Sequence, residues 1–328
     1  MIRAEGARGD VRRYRFVDWA SQAFLAGVIV LLLVFHRTAP SGWPWVILGH
    51  LAAMAGIHAL IHAEARGSRI PIVAFLRAVY PLLLYTAFFR ETELINRAVG
   101  TSRLDPLFLE AELRLFGTEP SVALMHRFSE PWVSELMYAA YFSYYVMIVG
   151  TGLWLWFRDR PVFRRYISVV SFVFYSCYCF YFWVPVIGPR LLFRPTPERE
   201  WYLARQPPLP ELAFPAGIQE GPFHHLMAFI YRNFEALSAA FPSSHVAVAL
   251  TTLWFTWRLF PRLRWVHLVA VSLLCVSTVY CRYHYAVDVP AGILAALVLI
   301  PIGNALVQRV DRDREDPPKG ICALPDRG

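Results

Sequence analysis

Runs of about 20 mostly apolar residues recur along the chain, separated by short clusters rich in arginine, proline and acidic residues. A run of that length lets an α-helix cross a hydrocarbon core, because each residue rises about 1.5 Å. The pattern predicts eight membrane-spanning helices, over residues 17–35, 43–62, 70–89, 132–157, 165–187, 243–259, 265–281 and 286–307. The expected fold class is therefore an all-α integral membrane protein, a multi-pass helix bundle. The first run follows a basic segment, as a signal peptide does. It is long, however, and His36, Arg37, Thr38, Ala39 and Pro40 lack a small-x-small cleavage pattern, so it is read as a retained helix.

Composition agrees with this reading. Only 17% of the 328 residues are charged and 57% are hydrophobic, with a mean hydropathy of +0.41; soluble domains carry nearer a quarter charged residues. The net charge of +8 invites a nucleic-acid partner, but its distribution points elsewhere. With the N-terminus inside, 19 of the 32 basic residues fall in cytoplasmic segments, many of them short loops, as the positive-inside rule requires. Charge thus reports topology, with both termini cytoplasmic, and no nucleic-acid partner is expected. Of the 32 basic residues 31 are arginine, a bias expected of a GC-rich bacterial genome, which places the chain in a bacterial inner (plasma) membrane. The five cysteines (177, 179, 275, 281 and 322) show no zinc or disulfide spacing and read as small apolar side chains.

Two long segments fall on the extracytoplasmic side, residues 90–131 and 188–242. In the first, Asp105-Pro106 reads as a helix cap with proline at the first helical position, and Gly117 as a stop. The stretch between mixes charged and apolar residues, with Glu110 and Arg114 one turn apart, as suits a helix lying in the interface. The second segment holds nine prolines and is no single element, although residues 222–240 suit a short amphipathic helix. The expected division is a basic N-terminus (1–16), N-terminal transmembrane helices (17–103), a catalytic membrane domain (104–308) and a charged, disordered tail (309–328). No internal repeat is present.

The candidate chemistry lies at the outer ends of three spans. Pro242-Ser243-Ser244-His245 opens the sixth: a helix start with free amides, two hydroxyls and a titratable ring, suited to an anion. Read alone, it is equally a helix cap with a histidine nearby. Arg282-Tyr283-His284-Tyr285-Ala286-Val287-Asp288 opens the eighth. His284 and Asp288 stand four apart, so one helical turn would set the carboxylate beside the imidazole and make the other ring nitrogen a nucleophile or base. Arg282 suits bidentate phosphate binding, and Pro290 would kink a helix running from His284. Arg190, in Pro185-Val186-Ile187-Gly188-Pro189-Arg190 at the end of the fifth span, adds a second phosphate clamp at the same depth.

These residues resemble the type-2 phosphatidic acid phosphatase superfamily, whose members carry a proline-serine-x-histidine motif and, two helices later, histidine-x-x-x-aspartate. The resemblance covers roughly residues 104–307. Two departures mark a branch: Thr278 stands where an arginine six residues before the second histidine is usual, and Trp183 stands where a lysine is usual, with Pro189-Arg190 in inverted order. Both are similar to the inositolphosphotransferase branch that includes fungal inositol phosphorylceramide synthase, as are residues 105–117 and 141–145. The resemblance implies a two-step transfer of a phosphate-containing group on a lipid phosphate or phospholipid. His284 would form a phosphohistidine, Asp288 would orient it, and His245 would serve as acid and then base. Arg190, Arg282, Ser243 and Ser244 would bind the phosphate oxygens. Neither metal nor cofactor is implied.

Other ionisable residues are assigned to structure. His50, His58 and His62 share a face of the second span and are expected to bond to a neighbouring helix, and Arg77 to pair or snorkel. His224-His225 reads as a surface pair, and the aromatic cluster over 166–183 as packing and interface anchoring. The competing functions are a simple lipid phosphate phosphatase, acting on phosphatidate or a prenyl phosphate, and a non-catalytic transporter or scaffold. The last would want paired mid-membrane helix breaks, which the sequence lacks. Oligomeric state is not legible.

Overall fold

The structure is a computed structural model that describes residues 14–66, 71–193, 195, 199–200, 203–205, 213–234 and 238–312. The expectations for the basic extreme N-terminus and the disordered tail beyond residue 312 lie outside the described residues. Eleven α-helices make up the described fold: α1 (Phe16–Val34), α2 (Trp43–Ala65), α3 (Pro71–Val99), α4 (Asp105–Phe116), α5 (Pro120–Arg127), α6 (Pro131–Arg158), α7 (Arg160–Trp183), α8 (Pro222–Phe234), α9 (Ser244–Leu259), α10 (Arg264–Tyr280) and α11 (Asp288–Asp311). A 3-10 turn, Pro189–Phe193, follows α7. The all-α membrane bundle expected from the apolar runs is the architecture observed.

Among the described residues, six helices are long and apolar enough to span a membrane: α1, α2, α3, α6, α7 and α11. The sequence reading expected eight. The other two, α9 and α10, have 16 and 17 residues. Both form within a residue of the expected bounds, 243–259 and 265–281, but at that length they fall short of the long apolar helices. Another correction concerns α3, expected to stop near residue 89 but continuing to Val99. Its polar last turns are held by Asn96, whose Nδ2 donates to the carbonyls of Tyr181 (2.7 Å) and Phe182 (2.9 Å).

Helix α7 is the most buried span and the hub of the bundle, packing against α1, α3, α6, α9 and α11. It pairs with α6 through a minimal reversal: Asp159 ends α6 and caps α7, accepting from the Val162 amide at 3.0 Å. Around it α9, α10 and α11 close the core, and α10 also lies along α6. The N-terminal helices dock by a buried ion pair, with Arg77 of α3 bonded to Asp18 of α1, so Arg77 pairs rather than snorkels. His50 contacts Glu91 at 3.2 Å and His58 the Tyr14 hydroxyl at 2.6 Å, as a structural role requires.

The short helix α4 forms where expected and ends at Gly117, whose φ of 71° is the left-handed cap conformation that glycine adopts without strain. The second long segment yields α8 over Pro222–Phe234. Termini of α6, α7, α9 and α11 converge at one end of the bundle. Arg158, Arg160, Arg258, Arg262 and Arg264 gather at the other.

Candidate active site

The chain leaves α10 at Tyr280 and reverses before α11 begins at Asp288. Arg282 takes φ 64°, a left-handed conformation uncommon outside glycine. The amides of Tyr283 and His284 then both donate to the Thr278 carbonyl, at 3.1 and 3.0 Å. His284 therefore sits in a turn, not in the first turn of a helix as its spacing to Asp288 suggested. Pro290 accordingly lies in the first turn of α11, where a missing amide hydrogen leaves no bond unmade, and no kink is needed there.

The pairing itself is as expected. Asp288 Oδ2 lies 3.2 Å from His284 Nδ1 and also accepts from the Tyr285 amide at 2.9 Å. A carboxylate on Nδ1 places the ring proton there and leaves the Nε2 lone pair available. His284 Nε2 in turn lies 3.2 Å from His245 Nδ1 and 3.4 Å from Ser243 Oγ. Burial, and after it the charge of Arg190, push the His284 imidazole down to about 3, so it is neutral at physiological pH.

Close packing of α9 against α11 brings these segments together. A Cβ on Gly292 would lie 2.7 Å from the Ser243 carbonyl, so only glycine permits the approach. Ser243 is the N-cap of α9, its Oγ accepting from the Val246 amide at 3.3 Å. The helix start was expected to offer free amides to an anion, but besides that of Val246 two more are occupied. Ser243 N donates to Asp288 O (3.4 Å), and Ser244 N donates to the Tyr181 hydroxyl (3.1 Å). What the segment presents to a ligand is the Ser243 hydroxyl and His245.

Arg190 and Arg282 belong to two loops joined by a hydrogen bond from the Arg190 amide to the Arg282 carbonyl, 3.1 Å long. Gly188 makes the junction possible: its φ is 98°, and a Cβ there would meet the Tyr283 carbonyl oxygen at 2.6 Å. The Arg190 guanidinium lies over the Tyr231 ring (5.3 Å), and the buried Arg282 guanidinium over Phe214 (4.5 Å). All seven residues singled out from the sequence thus lie in or beside one cluster.

Several contributors escaped sequence reading. The Tyr141 hydroxyl of α6 lies 3.0 Å from His245 Nε2, and Tyr231 of α8 bonds to that hydroxyl and stacks on Tyr283 at 3.8 Å. Asp105, read as a cap, is not one; Leu104 holds the N-cap position. The Asp105 carboxylate instead accepts from the amides of Ile187 and Gly188, both at 3.0 Å, and from the Tyr285 hydroxyl at 3.1 Å. One turn on from Leu109, Glu112 Oε1 accepts from the Ala286 and Val287 amides. Helix α4 is therefore less an interface helix than the floor beneath both site loops.

A cavity of about 430 Å³ runs from His245 and Ser244 between α3, α6, α7 and α8, walled by apolar and aromatic groups such as Leu82, Phe89, Ile148 and Phe174.

Residues 108–302 match the family model of the PAP2 superfamily. No curated protein and no solved structure matches the chain significantly.

Proposed function

The chain belongs to the PAP2 superfamily, and we propose that it transfers or hydrolyses a phosphate-containing group on a lipid through a phosphohistidine at His284, acting as an inositolphosphotransferase. The observation that carries this reading is the set of partners around His284: a carboxylate on Nδ1, a second imidazole and a hydroxyl at Nε2, and an arginine whose charge acts on the ring.

In the first step His284 Nε2 attacks phosphorus, forming the P–N bond as the bond from phosphorus to the leaving oxygen breaks. His245, 3.2 Å from the attacking atom, gives its proton to that oxygen. In the second step His245 takes a proton from the acceptor hydroxyl, whose oxygen attacks phosphorus and releases His284. Asp288 holds the tautomer through both steps and stabilises charge on the ring. Arg190, Arg282 and the Ser243 hydroxyl offset charge on the equatorial oxygens.

The cavity reaching His245 supports a substrate with a hydrocarbon chain, since most of its wall is aliphatic side chain and aromatic ring. The departures at Thr278 and Trp183 support a lipid or polyol hydroxyl as acceptor rather than water. Arginines gathered at the opposite end of the bundle support a site facing away from the cytoplasm, in a plasma membrane.

Purified protein assayed with phosphatidate, and separately with phosphatidylinositol plus a hydroxylated lipid, tests the reading. A phosphoinositol-bearing product in the second assay is expected. Free phosphate from the first assay with nothing from the second would establish a phosphatase instead. Turnover in neither, with His284→Ala indistinguishable from the native chain, would favour a non-catalytic role.

A further inference from the structure

Beneath the catalytic turn lie two acidic side chains that the chemistry above does not use. Glu112 on α4 and Glu119, the N-cap of α5, are both fully buried. Each is half satisfied. Glu119 Oε2 accepts from the Ser121 hydroxyl and the Val122 amide, both at 2.7 Å, and Glu112 Oε1 accepts from the Ala286 and Val287 amides. Their remaining oxygens, Glu112 Oε2 and Glu119 Oε1, are buried and receive no hydrogen bond from a donor among the described residues. Glu119 acts on Glu112 more than any other charged group does, so the two unanswered oxygens belong to neighbouring buried carboxyls. Two carboxylate oxygens facing one another in a buried site repel unless a proton lies between them.

We propose that Glu112 and Glu119 share a single proton, and that this acid pair is a positioning device holding the 284–288 turn in its catalytic shape. Glu112 is the acid, donating from Oε2, because Glu119 already accepts two hydrogen bonds that favour its charged form. The neutral Glu112 then offers Oε1 to the turn without placing a second negative charge beside Asp288. The groups acting on Glu112 are acidic: Glu119 foremost, and Asp288 of α11. Asp105 of α4 and the Tyr285 hydroxyl lie in the same network. Burial first, and Glu119 next, lift the Glu112 carboxyl from its ordinary 4.5 to about 9. Folding therefore favours the protonated acid. The stabilisation it confers is complete below the ordinary value, declines as pH rises through that window, and is gone above about 9. At that upper limit the pair becomes two facing charges, and the turn loses its support.

The test uses full-length protein in lipid nanodiscs and two readouts. Infrared difference titration should show a protonated-carboxyl C=O band at neutral pH that disappears near pH 9 and is missing from Glu112→Gln. This readout needs no substrate, so it stands or falls apart from the catalytic reading above. In the activity assay, glutamine at either position puts an N–H where the shared proton sits. Glu112→Gln and Glu119→Gln should each keep neutral-pH turnover within about threefold and extend it to higher pH, whereas Glu112→Ala should lose about tenfold or more at every pH. A band unchanged by Glu112→Gln overturns the proposal. So does a Glu112→Gln protein as impaired as Glu112→Ala, or failure of both glutamine variants to fold.

Discussion

His284 Nε2 and His245 Nδ1 face each other across 3.2 Å, although 39 positions separate them in the chain. Their outer nitrogens are held by different chemistry: His284 Nδ1 by the Asp288 carboxylate, His245 Nε2 by the Tyr141 hydroxyl. A carboxylate on Nδ1 fixes the ring's tautomer and leaves the other nitrogen's lone pair available. A phenol can donate to the ring or accept from it, and so imposes no charge on it. The two rings are thus differentiated for nucleophile and acid–base roles, and each partner can be tested separately.

Asp288→Asn retains size and one hydrogen bond but favours the wrong His284 tautomer. Turnover is expected to fall on the order of a hundred- to ten-thousandfold with little change in KM, measured on a variant whose thermal unfolding matches the native chain. An unchanged rate would remove Asp288 from the mechanism.

Tyr141→Phe deletes only the hydroxyl beside His245 Nε2. About a tenfold loss of kcat is expected, together with a displaced pH profile, because the orientation of the acid–base ring is affected and the nucleophile is not.

Acid should act on His284 only far below neutrality. Its folded-state value of about 3 lies below the ordinary 6.5, so the stability associated with the neutral ring is present above 6.5 and is lost as pH falls towards 3. In kcat/KM the acid limb from this residue should therefore lie well below pH 6. Arg190→Ala removes a neighbouring positive charge, so it should move that limb upward while weakening phosphate binding; NMR titration of the His284 ring checks the direction.

Gly188→Ala places a methyl group in a left-handed position, 2.6 Å from the Tyr283 carbonyl oxygen. A destabilisation of about 1–3 kcal/mol is expected, with lost activity as the Arg190 loop shifts from the Arg282 loop. Chemical denaturation measures the first effect and turnover the second.

The long spans were legible because apolar length alone specifies them. Ser243, His245, His284 and Asp288 were legible because their chemistry stands out against apolar helix. The turn at 281–287 was not, since Arg282 at φ 64° is held by tertiary contacts that local spacing does not encode. Nor was the role of α4: Glu112 and Ala286 are 174 positions apart, and nothing near Glu112 in sequence distinguishes a floor beneath the site from a helix at the membrane surface. Tyr141 lies in the 141–145 stretch that the resemblance covers, but nothing in the sequence marks it or Tyr231 as a partner of His245 among so many aromatic residues.

Phosphorus is expected to pass through His284. Brief reaction with a lipid substrate labelled at phosphorus, quenching in alkali and peptide mass spectrometry measure this directly. An acid-labile label on the peptide containing His284, absent from every other peptide and from His284→Ala, is the expected result. A label on another residue, or a His284→Ala chain that still turns over substrate, would contradict it.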